Sequence, residues 1–343
     1  MPKTRRARKQ RSEEILRVIY NQCLDPYFNL ASEEFLLERC EGDIFMIWRN
    51  EKSVIIGKNQ NAYAEVDRAF CKERGVKVVR RLTGGGAVFH DEGNVNFSFV
   101  TDAVGEGIDF APFTAKVCAA LSSFGIKALA NGRNDIEVAG VKVSGNAQCV
   151  HNCKDKRRRL LHHGTLLFSA DLSDLSGALR PRADKMESKG IKSVRSRVGN
   201  IRDMEGYVGP GCAEGFARAL CRLMGGDASG DFLEAEKAEI RALSEKKYST
   251  WQWSFGEGPR FSDTVNGRFP YGGVEISFSA RHGAIEEIKI SGDFFALRDM
   301  GELEERLVGV TLEPTVLAAA FSDVCEYIHG ARAADICGLF APE

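Results

Sequence analysis

Residues 80–91 read Arg80-Arg81-Leu82-Thr83-Gly84-Gly85-Gly86-Ala87-Val88-Phe89-His90-Asp91 and carry the clearest signal in the chain. Alternating β-branched residues at 76–79 and an apolar run at 95–100 predict strands on either side, so we expect the glycines in a hairpin turn. Three glycines remove every Cβ from that turn, and its backbone can approach a ligand closely. With two arginines beside it, the turn suits an anionic ligand. A hairpin with a charged rim and no ligand is the alternative.

The composition is that of an ordinary soluble, globular protein. The 343 residues, 43% hydrophobic and 28% charged, suffice for about two domains. A formal net charge of −1 makes nucleic acid an unlikely general partner. Ten cysteines without a C-x-x-C pair favour a reducing setting, and no apolar run approaches the roughly 18 residues that span a bilayer. We therefore expect a cytoplasmic protein that does not engage a membrane.

The domain organisation follows from shifts in charge and pattern. Lysine and arginine crowd the first eleven residues without an apolar segment, which predicts a basic, disordered tail over 1–16, with RNA contact or a transit function as alternatives. We assign a catalytic domain to 17–250, a linker containing glycine and proline to 251–259, and an accessory domain to 260–343. Helical patterns, as at 29–39, alternate with strand patterns throughout. The predicted fold class is α+β, with a large domain of mixed and antiparallel sheets flanked by helices and a small C-terminal domain.

A second tight hairpin is predicted where strands at 135–138 and 141–143 flank Ala139-Gly140. Residues beside a two-residue turn are cross-strand neighbours, so we expect Asp135 and Lys142 near one rim of the sheet. A carboxylate can hold Mg²⁺, and a lysine can neutralise a phosphate or a carboxylate. Solvated hairpin charges are the alternative interpretation.

A polar loop is expected over 146–159, before a strand that opens with His162-His163. Alternation along that strand places one ring toward the core and the other toward a cleft. Cys149, His151 and Cys153 could bind a metal with one of these histidines, although their spacing matches no standard zinc motif. A cysteine nucleophile is a further alternative, because arginines at 157–159 could lower the pKa of a nearby thiol.

The stretch 190–200 carries three cations and two serines and predicts an extended basic loop. It could be a solvated surface loop. It could also be a positive gate over a phosphate-bearing intermediate, or a docking site for an acidic partner domain.

Taken in order, these stretches resemble the lipoate–protein ligase family. The resemblance covers residues 17 to about 250 and rests on six motifs: DPYFNLA at 25–31, RRLTGGGAVFHD at 80–91, ND at 134–135, KVSG at 142–145, HHGTLL at 162–167 and KSVRSRV at 192–198. The region after Trp251 resembles the accessory C-terminal domain of the bacterial-type, two-domain ligases of the biotin/lipoate ligase-like superfamily. Asn146 stands where relatives commonly have serine.

The resemblance implies an ATP-dependent, adenylate-forming enzyme. Lipoate, ATP and Mg²⁺ give lipoyl-AMP, and the lipoyl group then passes to a lysine of a lipoyl-carrier domain. The implied carriers are the E2 subunits of 2-oxoacid dehydrogenases and the H protein of glycine cleavage. Lipoate and ATP are substrates, no tightly bound prosthetic group is implied, and we expect a monomer.

The resemblance also implies a role for each motif residue. Lys142 is the catalytic residue, which contacts the acyl carboxyl and the α-phosphate without forming a covalent bond. The implied lipoate or lipoyl-AMP site comprises Arg81, Thr83, Gly84, Gly85, Gly86, His90 and His163. The implied ATP or AMP site comprises Gly86, Val88, Phe89, Asn134, Asp135, Lys142 and Ser144, with Asp135 also holding Mg²⁺. The expected walls of an apolar slot for the dithiolane tail are Val54, Ile56, Val88 and Leu167.

Other activities remain open. An octanoyltransferase of the same fold uses a cysteine thioester, but the stretches where its cysteine is expected, 128–132 and 180–182, contain none. A lipoyl amidotransferase is harder to separate, whereas a biotin ligase should carry a different arginine–glycine signature. From another class, a non-catalytic carrier-domain or RNA-binding protein is possible. A P-loop is not indicated, since no lysine follows the glycines.

Overall fold

The computed structural model describes residues 16–105, 107–131, 134–171, 175–179, 198–225, 230–255, 263–281 and 283–340. Residues 1–15 of the predicted tail, 190–197 of the predicted basic loop and 256–259 of the predicted linker lie outside this part. The predicted α+β fold is confirmed, with a large mixed sheet flanked by helices and a small C-terminal unit around three strands. Along the described ranges, no helix is long and apolar enough to cross a membrane.

The strands are β1 (Arg17–Tyr20), β2 (Ile44–Arg49), β3 (Ser53–Ile56), β4 (Lys77–Arg80), β5 (Val88–His90), β6 (Asn94–Asp102), β7 (Ala128–Asn131), β8 (Asp135–Val138), β9 (Val141–Asn152), β10 (Arg158–Leu167), β11 (Asp263–Phe269), β12 (Gly272–Arg281) and β13 (Ala284–Gly292). The main sheet has the order β1-β2-β6-β10-β9-β8-β7. Its first pair is parallel, and the remaining neighbours run antiparallel. A small sheet has the order β4-β3-β5, and β11-β12-β13 forms an antiparallel sheet in the C-terminal unit.

The helices are α1 (Pro26–Arg39), α2 (Ala62–Glu65), α3 (Arg68–Glu73), α4 (Ala111–Ser122), α5 (Leu175–Ala178), α6 (Ala213–Gly225), α7 (Glu234–Leu243), α8 (Trp251–Ser254), α9 (Met300–Leu307), α10 (Pro314–Ala320), α11 (Val324–Tyr327) and α12 (Ala333–Gly338). The predicted start of α1 is confirmed, because Pro26 lies in its first turn and the Asp25 carboxylate accepts a hydrogen bond from the Tyr27 N–H.

Alternation along β6 explains how the main sheet is covered on both faces. Phe97 and Phe99 point into a core with α4 and α6, whereas Val100 points into a second core with α1 and α7. Ser98 shares the second face and bonds to Glu33 of α1. Helix α1 therefore lies against the face of the sheet that also carries His163.

Two sequence expectations are wrong. The glycines do not form a hairpin turn, because β4 pairs parallel with one edge of β3 and β5 pairs antiparallel with the other. Residues 81–87 instead cross over the end of β3. Nor is 146–159 mainly a loop, since β9 continues to Asn152 and pairs with β10 in register. The predicted hairpin between β8 and β9 is confirmed, and Ala139 and Gly140 adopt the positive φ angles, 49° and 78°, of a tight two-residue turn.

Candidate active site

A cavity of about 210 Å³ lies where the glycine segment faces β9 and β10. Its lining residues come from α1, from six strands of the two sheets, from the glycine segment and from the residue before β8: Leu30, Trp48, Ile55, Arg81, Gly85, Gly86, Ala87, Val88, His90, Asn96, Asn134, Lys142, Gly145, Asn146, Ala147, His163, Gly164 and Thr165. The cavity thus unites motifs that are more than fifty residues apart in the sequence.

Arg81 holds the glycine segment in place. Its guanidinium group donates hydrogen bonds to Thr83 Oγ1 at 2.9 Å and to the carbonyl oxygens of Ile55, Gly84 and Gly86 at 3.0, 2.6 and 2.8 Å. Burial lowers the pKa of Arg81 to about 10, so the group stays charged at neutral pH. Most of the hydrogen bonds that its guanidinium group donates thus go to backbone carbonyl oxygens of the protein itself.

A buried chain of hydrogen bonds connects this arginine to α1. Thr83 Oγ1 accepts from Arg81 and lies 2.7 Å from His163 Nε2, to which its hydroxyl donates when the neutral ring carries its proton on Nδ1, the nitrogen that faces the Glu33 carboxylate. In this tautomer Nδ1 donates to Glu33 Oε1 at 2.8 Å. Ser98 donates to the same carboxylate oxygen at 2.6 Å. This arrangement fixes the tautomer and orientation of His163 at the cavity wall.

His90 and Asn96 each present a buried hydrogen-bond donor at the cavity. Asn50 Nδ2 donates to His90 Nδ1 at 3.1 Å, which leaves the proton of the ring on Nε2. Asn94 donates to Asn96 Oδ1 at 2.8 Å, which leaves the Asn96 amino group unused. Within the described ranges neither His90 Nε2 nor Asn96 Nδ2 has a hydrogen-bond partner, although the two residues are only 4% and 1% exposed. Such buried donors favour an acceptor supplied by a ligand.

The charge state of His90 follows from its surroundings. Burial, reinforced by the positive charge of Arg81 and by His163, lowers the pKa of His90 to about 3. The ring is therefore neutral at physiological pH. Sequence reasoning missed Asn96, because an asparagine inside an apolar strand gives no sign of facing a cavity.

Lys142 and Asp135 stand at the polar rim of the cavity. Their side chains form an ion pair of 2.8 Å and are 36% and 31% exposed. A bulge between Ile136 and Glu137 shifts the register of the hairpin, but the expected proximity is confirmed. Asn134 donates to the Asn146 carbonyl oxygen at 2.7 Å, and Asn146 Nδ2 returns a bond of 3.0 Å to Asn134. The rim therefore offers one cation, one carboxylate and two fixed amides.

Other residues named from the sequence lie beside the cavity or face away from it. Ile55 lines it, whereas the expected walls Val54 and Ile56 point with Phe89 into a separate apolar cluster. Both faces of β3 are buried, so a run of apolar residues could not identify the right face. Leu167 is not among the lining residues, whereas Val88 is. Ser144 is fully buried and accepts a bond of 3.3 Å from Asn146.

The glycines also contact the C-terminal unit. Gly85 donates to the Phe294 carbonyl oxygen at 3.2 Å, and a Cβ on Gly84 would overlap that oxygen. Gly85 has φ of +89°, a conformation that only glycine adopts readily. Its missing Cβ would lie 3.3 Å from the Phe295 ring, which also meets Phe110 edge-on at 5.4 Å. Two of the three glycines are thus explained by packing within the protein.

The cysteine interpretations do not fit this site. Of the described residues that line the cavity, none is a cysteine. Cys149 packs against the core under α1, and burial raises the pKa of its thiol to about 12, which disfavours a nucleophilic thiolate. His162 stacks on Phe113 at 4.5 Å, and burial lowers its pKa to about 3. Cys153 and His151 instead approach Glu38.

Comparisons with known proteins agree with this geometry. The profile of the lipoyl protein ligase A/B catalytic domain matches residues 25–218, and that of the bacterial lipoate protein ligase C-terminus matches residues 258–340. Lipoate–protein ligase 1 of Staphylococcus aureus is 39% identical over 295 residues, or 84% of this chain and 88% of that protein. The Bacillus subtilis ligase LplJ is 39% identical over 309 residues, or 88% and 91%.

Solved structures give the same result. Plasmodium falciparum LipL1 in complex with lipoate has a TM-score of 0.74 at 25% identity and covers 94% of this chain and 97% of its own. A bipartite ligase from Thermoplasma acidophilum, studied with its E2 lipoyl domain, has a TM-score of 0.60 at 28% identity and covers 73% and 100%. A lipoate–protein ligase A bound with ATP has a TM-score of 0.57 at 27% identity and covers 71% and 99%.

The fold, the cavity and the matching profiles define an enzyme that joins an acyl group to protein. The chain belongs to the lipoate–protein ligase family. The sequence predictions of family, fold class and ligase activity are thereby confirmed.

Proposed function

We propose that this chain uses ATP to convert lipoate to lipoyl-AMP and passes the lipoyl group to a lysine of a carrier domain, with Lys142 as the central cation. One observation carries the proposal: Lys142 stands at the polar rim of a cavity whose interior includes Leu30, Trp48 and Ile55. A carboxylate at the rim and a dithiolane tail among the apolar side chains satisfy both ends of lipoate.

In the first step a lipoate carboxylate oxygen attacks the α-phosphorus of ATP, and pyrophosphate leaves with the bridging oxygen. Negative charge gathers where carboxyl and phosphate meet. Lys142 exchanges its bond to Asp135 for these oxygens and neutralises that charge, as preorganised cations do in such sites. Lys142 forms no covalent bond in this step.

The donors along the cavity wall position the acyl chain and the nucleotide. Gly86, Val88 and Asn134 meet the nucleotide from the cavity side. Phe89 and Ser144 support it indirectly, by anchoring β5 and Asn146. His90 and Asn96 donate to ligand acceptors, while Arg81, Thr83 and His163 hold the wall in shape.

Mg²⁺ is proposed at Asp135, with Asn134 as a neighbouring amide oxygen donor. Protein-bound Mg²⁺ typically takes one or two carboxylates together with substrate phosphates and water, and a partly exposed carboxylate beside the phosphate site fits that arrangement. The ion supplies additional neutralisation of the ATP phosphates when bound.

In the second step the amine of a carrier lysine attacks the carbonyl carbon of lipoyl-AMP. An amide forms, the carbon–oxygen bond to AMP breaks, and the amine releases a proton. We propose lipoyl domains of E2 subunits as acceptors, with the glycine cleavage H protein as a finer prediction; the E2 lipoyl domain studied with the archaeal relative supports this class. A monomer stays a prediction, as does a cytoplasmic setting, which ten cysteines without a C-x-x-C pair support.

Pyrophosphate exchange with lipoate and ATP tests the proposal. We expect exchange by the wild type and none above background by Lys142→Ala. Lys77→Ala is the matched control, since Lys77 also pairs with carboxylates and is 35% exposed, but does not line the cavity. Exchange by Lys142→Ala at the wild-type rate would remove this residue from the mechanism.

An acyltransferase that works through a cysteine thioester would respond to these conditions and variants in the opposite way. It would transfer an acyl group without ATP and would lose activity with Cys149→Ser. We expect Cys149→Ser to keep both exchange and lipoylation, because Cys149 packs against the apolar core under α1 and is not among the residues that line the cavity.

A further inference from the structure

A second cluster of reactive side chains lies where the C-terminal end of α1 meets the end of β9. The ligand atoms of Glu38, His151 and Cys153 all lie within 4.8 Å of one another. His151 Nε2 is 2.7 Å from Glu38 Oε1, and Cys153 Sγ lies 3.3 Å from the Leu37 carbonyl oxygen. The proposed reaction uses none of these groups.

We propose that Glu38, His151 and Cys153 form a binding site for a single Zn²⁺ ion. Thiolate, imidazole and carboxylate are the three ligand types that Zn²⁺ accepts in proteins. Zinc bonds of about 2.0–2.3 Å separate neighbouring tetrahedral ligand atoms by about 3.3–3.8 Å. The cluster is already near that size. To bind the ion, the bond between His151 and Glu38 has to open, and the Cys153 thiol has to release its proton to solvent and give up its hydrogen bond to the Leu37 carbonyl oxygen.

Access and ligand number also fit a bound ion. Cys153 is 5% exposed, while the His151 and Glu38 side chains are 25% and 18% exposed, so the cluster is held by the fold and is still reached by solvent. Three protein ligands leave a fourth position for water. His151 lies near the end of β9 and Cys153 directly follows its last residue, so the end of one strand supplies two of the three ligands.

The turn after β9 holds the cluster in position. Arg157 donates to the carbonyl oxygens of Cys40 and Glu38 at 2.8 and 3.0 Å, which joins this turn to the end of α1. The Cys153 N–H also donates to the Arg157 carbonyl oxygen at 2.8 Å. The positive charge of Arg157 is balanced by Asp155 at 2.6 Å, which limits its repulsion of a cation. The ligands are therefore preorganised without the ion.

A metal here would join the two elements that build the active-site cavity. Helix α1 carries Leu30 and Glu33, and β9 carries Lys142 and Asn146. An ion that binds both elements in the folded chain only stabilises that chain, by an amount that grows with the logarithm of its concentration relative to its Kd. The consequence is a Zn²⁺-dependent increase in stability without a direct part in the chemistry.

Cobalt and zinc titrations of the full chain, without ATP or Mg²⁺, test this site. Co²⁺ bound to a thiolate produces a charge-transfer band in the near ultraviolet, which identifies a cysteine ligand directly. We expect this band at one equivalent of Co²⁺, its disappearance on adding Zn²⁺, and a Zn²⁺-dependent rise in the melting temperature. A wild-type chain with no thiolate band, or with several equivalents of equal affinity, would overturn the proposal.

Variants locate the ion. Cys153→Ser should abolish the band, and Glu38→Gln should keep the band but weaken Zn²⁺ binding by at least about tenfold, the usual loss for a changed ligand environment. Cys149→Ser is the control, since that thiol lies on β9 outside the cluster. If Cys153→Ser keeps the band, or if Cys149→Ser loses it while Cys153→Ser does not, Cys153 is not the thiolate ligand. If Cys153→Ser folds poorly, an undiminished Zn²⁺ affinity in Glu38→Gln still refutes it.

Discussion

Replacing Thr83 by valine should lower the free energy of unfolding more than replacing it by serine. Thr83 is fully buried, and its hydroxyl accepts from Arg81 and donates to His163. Valine keeps the shape of the side chain but leaves an Arg81 N–H and His163 Nε2 without their partner. Serine keeps both bonds and removes only a methyl group.

The two variants differ in free energy by an amount that can be measured. Each buried group left unpaired costs about 1–3 kcal/mol, so Thr83→Val, which leaves two, should lower the free energy of unfolding by about 2–6 kcal/mol. Loss of one buried methyl group in Thr83→Ser should cost about 1 kcal/mol. Valine should also release His163 from its fixed orientation, which raises the KM for lipoate.

Urea unfolding of the two variants without ligands measures the difference, and pyrophosphate exchange at varied lipoate measures the KM. Equal stability of both variants would show that the hydroxyl does not connect Arg81 to His163. Lower stability of Thr83→Ser than of Thr83→Val would refute the reasoning entirely, because packing and not hydrogen bonding would then dominate.

Three further outcomes are expected. As the pH falls from 6.5 to 3, His90 and His162 become protonated in the unfolded chain but stay neutral in the folded chain, because burial lowers the pKa of both rings to about 3. The free energy of unfolding should therefore fall by about 1.4 kcal/mol per pH unit for each ring, which urea unfolding at pH 7 and at pH 5 measures. Above pH 6.5 both rings are neutral in both states and add no slope. Asn96→Leu should raise the KM for lipoate or ATP by about tenfold, because a hydrogen bond to the ligand is lost, and a KM equal to that of the wild type would contradict this. Gly84→Ala should lower the melting temperature more than Gly86→Ala, since only the Cβ at position 84 meets the backbone of the C-terminal unit.

Local rules made the lysine hairpin predictable. A two-residue turn whose residues accept positive φ determines which residues of the two flanking strands pair with each other. The proximity of Asp135 and Lys142 could therefore be predicted from the sequence. The bulge near Ile136 was not predictable, but it moves the pairing by one position and leaves the ion pair intact. Short-range geometry decided this part of the site.

Long-range contacts decided what the sequence missed. The sequence of residues 81–87 is compatible with a hairpin turn and with a crossover between two strand edges. The crossover is selected by distant residues, through the hydrogen bond from Arg81 to the Ile55 carbonyl oxygen and the contact of Gly85 with Phe294. Ile55 could not be preferred to Val54 for a similar reason, since both faces of β3 are buried by distant elements. Periodicity identifies the buried face of a strand only when the other face meets solvent.

The structure also changes which group supplies positive charge to the ligand. Two arginines beside three glycines suggested an anion site on the glycine segment, yet Arg81 directs four hydrogen bonds to its own segment and to β3. Arg80 likewise bonds to five backbone carbonyl oxygens, including those of Trp253 and Ser254. The arginines therefore shape the wall. In the mechanism that we propose, the neutral donors of that wall orient the ligand, and the positive charge that a developing adenylate requires comes chiefly from Lys142.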